Sequence, residues 1–202
     1  MVISGSERDR LAASPAIDIR IVHPEAQWYR WSARHPIGSL FIVGAIATQI
    51  ATTVGYFFPA VKLPSLAWPL YTGLLNAPAS KYGTAGSFMA GEFTHLLNGV
   101  AFVFLFAILL YTKLPFGYGP VGNLLKALLY GVILTVISAG VLVPYVYQAH
   151  QGYGFLSFSG PDGWKLPVAI LLWHLVYAVH IAALYNPAKA HQAQLAEESA
   201  RN

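Results

Sequence analysis

Four apolar stretches, each about as long as a bilayer is thick, govern what this chain can fold into. They cover residues 37–58, 87–111, 124–146 and 166–185 of 202. About twenty apolar residues at 1.5 Å rise each span the hydrocarbon core. Only 10% of the residues are charged and 56% are hydrophobic, where a soluble domain carries about 25% charged residues. The expected fold is therefore all-α: an integral membrane four-helix up-down bundle, with an interfacial N-terminal segment and a Pro-rich outer loop.

The connecting segments fill in this plan. Residues 1–36 form a tail and interfacial segment, in which Trp28, Tyr29 and Trp31 alternate with Arg30 and Arg34. Aromatic rings beside Arg suit the membrane–water interface. The first 35 residues are polar, and Phe57-Phe58-Pro59 rather than small residues follows the first apolar stretch, so no signal peptide is expected. Residues 59–85 carry Pro59, Pro64, Pro69 and Pro78, which prevent a continuous span and leave a short interfacial or re-entrant piece near 70–75. Trp68 and Tyr71 suit an interface there. Pro187 ends the fourth stretch, and residues 187–202 make a short polar tail. The spans carry small-xxx-small spacings such as Gly44, Thr48 and Gly55 for close helix contact. No internal sequence repeat is visible, which counts against repeated transporter architectures.

Orientation follows from Lys and Arg. Arg8, Arg10, Arg20, Arg30, Arg34, Lys113, Lys126, Lys189 and Arg201 flank one side, and Lys62, Lys81 and Lys165 the other. The positive-inside rule then predicts cytoplasmic N and C termini in the inner (cytoplasmic) membrane. The Arg residues before the first span read as membrane-surface anchors, and no nucleic-acid partner is expected. With no Cys in the chain, disulfides, thiolate metal sites and Cys nucleophiles are excluded. Ser138 and Ser157 lie in no nucleophile-elbow pattern.

Within the apolar stretches one acid stands out. Glu92 and His95 lie three residues apart and share a helix face, and an ionisable residue inside a span is a functional-site hypothesis by default. His95 lies nine residues after Gly86, and His174 nine after Lys165. Both spans start at the same face, so both imidazoles lie about 13 Å deep. Asn98 and Tyr177 follow their histidines by three residues, and Gln49, Thr52, Thr53, Tyr56, Tyr145, Tyr147 and His150 share the layer. His180 faces elsewhere, six residues beyond His174.

Several chemistries suit such a layer. Glu92, His95 and His174 could hold a single transition-metal ion, while the absence of a second Glu-x-x-His argues against a di-iron centre. His95 and His174 could be the axial ligands of a b-type haem, with Gly91, Gly99 and Ala178 one turn away making room for the porphyrin. The same small residues would equally let helices pack closely. A four-span bundle with His ligands resembles membrane cytochrome b proteins in general plan, with no motif of theirs matched. A quinone- or lipid-like ligand beside His, Glu, Tyr and Trp173 is a further class. The last is a purely structural packing subunit without a cofactor, whose polar side chains only bond helix to helix. The expected role is a small integral subunit or accessory protein of a membrane redox complex. Its partners would be the lipid bilayer and larger membrane proteins or a homo-oligomer.

Overall fold

The computed structural model of the protein describes residues 24–147 and 152–199. All regular elements among them are helical. Helix α1 is Pro24–Arg34, α2 is Pro36–Tyr56, α3 is Trp68–Asn76, α4 is Ala85–Leu105, α5 is Pro120–Ile137, α6 is Lys165–Leu184 and α7 is Pro187–Ser199. Four candidate spans are long and apolar enough to cross a membrane: Pro36–Tyr56, Ala85–Leu110, Pro120–Val146, and the stretch that starts at Lys165. The expected tail, Arg8, Arg10, Arg20 and His23, together with His150 and Arg201, falls outside the described residues.

Local chemistry sets the boundaries. Proline stands at the start of α2 and of α5, where its missing N–H has no intrahelical partner to lose. Thr84 caps α4, its hydroxyl accepting the Ser87 N–H. Two spans do not end as α-helices. Residues Phe106–Leu110 extend α4, and Ser138–Val146 extend α5, as π-helix. The second stretch contains Pro144, which cannot donate to an α-helical ladder.

The short piece expected near 70–75 is helix α3, and it lies directly against α4. Two glycines permit the contact. A Cβ on Gly91 would fall 1.8 Å from the Pro69 carbonyl oxygen, and one on Gly73 would fall 2.5 Å from that of Ser87. Thr72 Oγ1 sits 2.7 Å from the Gly91 carbonyl, pinning the crossing.

Among the long helices, α2 packs against both α4 and α6, and α6 packs against α5. Helices α4 and α5 make no comparable backbone contact. Side chains bridge them instead: Tyr130 donates to the Phe102 carbonyl at 2.8 Å and stacks on Phe106 at 5.0 Å between centroids. The helices thus form a row, α4–α2–α6–α5, bent so that its ends approach across a layer of aromatic side chains.

At the end of the bundle bearing α1 and α7, polar groups close the helix termini. Trp28 Nε1 donates to the Leu184 carbonyl at 2.7 Å, and the Tyr29 hydroxyl to that of Ala183 at 3.0 Å. Asn123 Nδ2 donates to the carbonyls of Ala182 and Tyr185 at 2.8 and 2.9 Å. Buried Lys126 donates to the Tyr111 carbonyl at 3.0 Å and lies over the Tyr118 ring. These carbonyls belong to helix ends that lack intrahelical donors, and Lys126 also sets a positive charge where such an end is partially negative.

Candidate functional site

The two histidines singled out by depth are both buried and line one cavity of about 40 Å³. His95 comes from α4 and His174 from α6. Asn98, Gly99 and Phe102 continue the α4 wall, Ser138 and Leu142 come from the π-helical part of the third span, and Tyr177 from α6. Trp68, at the start of α3, and Trp173 complete the lining together with Tyr147.

Each histidine is tied to a hydroxyl on the neighbouring span. His95 Nε2 and Thr52 Oγ1 lie 2.9 Å apart. His174 Nε2 is 3.4 Å from Ser138 Oγ, and its Nδ1 is 3.4 Å from Thr135 Oγ1. The closest His174 contact is Nδ1 to the Ile170 carbonyl at 2.9 Å. A carbonyl only accepts, so Nδ1 carries the proton, and in the neutral ring the Nε2 lone pair accepts from the Ser138 hydroxyl at 3.4 Å.

The pairs α2–α4 and α5–α6 therefore hold their histidines alike, although the sequence shows no repeat. Thr52 faces His95 as Thr135 faces His174. One turn further, Gly99 meets Thr48, and Ala178 meets Gly131. A Cβ on Gly99 would lie 1.7 Å from Thr48 Oγ1, and one on Gly131 would lie 3.1 Å from the Ala178 Cβ. Gly91 is filled by α3, as described above. The small residues around both histidines thus make room for neighbouring helices.

Aromatic rings occupy the rest of the space. Trp173 packs on both imidazoles, with centroids 5.5 Å from His95 and 5.1 Å from His174. Trp68 lies over His95 at 6.2 Å and meets Trp173 edge-on at 6.0 Å. Tyr177 stacks on Trp173 and donates to the Gly99 carbonyl at 2.5 Å. Trp68, expected at an interface, is instead 4% exposed. The α3–α4 crossing carries its ring inward. Neither Trp68 Nε1 nor Trp173 Nε1 has a hydrogen-bond partner, and both are buried.

The other expected site residues divide. Asn98 and Tyr177 line the cavity with the histidines. Gln49, Thr53 and Tyr56 are exposed on the outside of α2. Glu92 is half-buried and does not line the cavity; its electrostatic neighbour is Tyr56. His180 turns away as expected, donating from Nδ1 to the Val176 carbonyl at 2.7 Å. Among the described residues, no three His, Cys, Asp or Glu side chains group closely enough to hold a metal ion. A porphyrin between the two imidazoles would need the volume that the Trp173 indole fills.

Thr52, Thr135, Ser138 and Trp68 complete the site that depth counting began. Thr52 was in the expected layer, but nothing in the sequence separates it from Thr53, which faces outward. Comparison with known proteins adds no assignment: no family model, curated protein or solved structure matches the chain.

Proposed function

We propose that this is a four-span membrane protein that binds the oxygen-bearing head of a quinone- or lipid-like molecule in the cavity between His95 and His174. The observation that carries this reading is that two residues lining the cavity, Trp68 and Trp173, have buried indole N–H groups without acceptors. A buried donor left unsatisfied costs about 1–3 kcal/mol. Two such donors, on residues that line one cavity, are matched by a ligand oxygen. The His174 Nε2 lone pair, met by the Ser138 hydroxyl only at 3.4 Å, adds the complementary function when a ligand hydroxyl takes the place of that serine. A quinone carbonyl is served by the indoles and a quinol hydroxyl by His174, so both redox forms find partners without a charged side chain.

The cavity volume fits one polar group rather than a ring, because a single water needs about 10–15 Å³. The ligand body then extends past Phe102 and Leu142, between α4 and α5, where the long helices lack backbone contact. In this reading the helices run up and down through the inner membrane with both termini cytoplasmic, as the Lys and Arg distribution favours. The histidine layer then lies in the outer half.

A titration tests the proposal. Short-chain ubiquinone added to the protein in lipid nanodiscs should quench tryptophan fluorescence saturably, and Trp173→Phe should weaken that binding severalfold. Quenching that stays linear and is equal in the variant would mean that only water fills the cavity.

One observation favours a second reading, a single transition-metal ion. The Nδ1–H of His174 is held by a carbonyl, the arrangement that orients a metal-binding imidazole. His95 and His174 would be the protein ligands, with ligand or water oxygens completing the shell. Elemental analysis of wild type and His174→Ala tests this: equal, near-zero metal content in both would end it.

A further inference from the structure

A second cavity lies at the opposite end of the helices, with a volume of about 380 Å³. This is within the range of about 300–1,000 Å³ typical of small-molecule sites. It is bounded by α1, the start of α2, the ends of the second and fourth spans, and α7. Its lining changes character along its length. Leu40, Ala107 and Ile108 give an apolar floor that follows the spans, and Ser32, His191 and Gln194 stand at a polar rim.

Three features point to one kind of occupant. Ile108 is 66% exposed, so the floor opens sideways toward the surroundings of the spans. The Ser32 hydroxyl is buried and has no hydrogen-bond partner. His191 and Gln194, exposed on α7, add polar side chains to the lining. An apolar trough that opens to lipid and ends in hydroxyl, imidazole and amide groups is complementary to an acyl chain that ends in a phosphate ester. The level is also right. Trp28, Trp31 and His35 stack along α1, with centroids 5.4 and 5.2 Å apart, and such rings settle at headgroup height.

We propose that this groove binds one phospholipid, with an acyl chain on the Leu40–Ala107–Ile108 floor and the phosphate at the rim formed by Ser32, His191 and Gln194. The proposal rests on reading the long helices as membrane spans and is independent of the histidine cavity.

The test uses the full chain, extracted from membranes in mild detergent, and native mass spectrometry with added phosphatidylglycerol. Wild type should retain one phospholipid per chain at detergent levels that strip bulk lipid. Ala107→Trp, which fills the floor, should lose it, while Val132→Trp on an exposed face of α5 should keep it. The double variant His191→Ala/Gln194→Ala, at exposed positions of α7, leaves the packed helices untouched and should weaken retention at least fivefold, which keeps the test open if Ala107→Trp fails to fold. Equal retention by wild type and both groove variants would overturn the proposal, as would displacement by inorganic phosphate alone, which would indicate a soluble anion. Recovery of wild type in the membrane fraction reports the spanning helices separately.

Discussion

Gly99 has no side chain because Thr48 occupies its place: a Cβ there would sit 1.7 Å from the threonine hydroxyl oxygen and 2.8 Å from its Cβ. The contact sits one turn from the Thr52–His95 hydrogen bond, so the approach of α2 to α4 also sets the position of His95. Gly99→Ala should destabilise the protein by about 1–3 kcal/mol through overpacking. The α5–α6 pair supplies a natural remedy, because there the glycine, Gly131, is on the first helix and the alanine, Ala178, on the second. Thr48→Gly should therefore restore most of the stability lost in Gly99→Ala. Thermal melts of the single and double variants in detergent check this, and strict additivity would contradict the shared geometry.

The α3–α4 crossing predicts a larger and more local effect. A Cβ on Gly91 meets backbone, 1.8 Å from the Pro69 carbonyl and 2.6 Å from the Gly73 nitrogen. No side-chain rotation relieves such a clash, so Gly91→Ala should displace α3 and withdraw Trp68 from His95. The signature is a red-shifted Trp68 emission, measured with the other tryptophans replaced by Phe.

Tyr177 links the two histidine-bearing spans, its hydroxyl donating to the Gly99 carbonyl. Tyr177→Phe keeps the stack on Trp173 and removes this bond, at a cost of about 1 kcal/mol. Trp173→Phe removes a donor that has no acceptor, so stability should change less in the ligand-free protein than ligand affinity does. A stability loss matching the affinity loss would mean that Trp173 is packing only.

Alkaline pH should release α1 from α7. Lys189 and Glu25 form an ion pair across these helices, and the hydrogen bond that Lys189 donates to the Glu25 carboxylate raises the lysine pKa above its ordinary 10.5. Burial raises the Tyr29 phenol above 10.0, and the Tyr29 hydroxyl donates to α6. Both folded-state pKa values lie above the unfolded ones, so each contribution is complete below the unfolded pKa and is lost as pH rises through the folded one. The pair is well exposed, at 38% and 63%, so its share is small and screened by salt. Emission from Trp28 against pH 9–12 should show release at lower pH in Lys189→Met than in wild type.

Much of the fold was legible because four long apolar stretches leave few possibilities other than helices long enough to span a membrane. The spans expected at 37–58, 87–111, 124–146 and 166–185 compare with Pro36–Tyr56, Ala85–Leu110, Pro120–Val146 and a fourth helix from Lys165 to Leu184. Equal depth brought His95 and His174 to one cavity because helical rise is uniform. Azimuth was harder to read. Glu92 and His95 share a face only loosely, at about 300° of rotation, and α3 and α2 flank that face unequally, so His95 turns inward while Glu92 stays at the edge. The same ambiguity separated buried Thr52 from exposed Thr53 and Gln49. Inward burial of Trp68 depended on how close α3 lies to α4, which Gly73 and Gly91 permit but do not announce.

The tethers from Trp28 and Tyr29 reach carbonyls 156 and 154 residues downstream. During synthesis α1 leaves the ribosome before every other described helix, yet its acceptors exist only after α6 is made. The first of the described helices is thus among the latest to dock. Its closing onto Leu184 and Ala183 reports completion of α6, and a chain cut short before α6 leaves α1 without these anchors however well the earlier helices have packed.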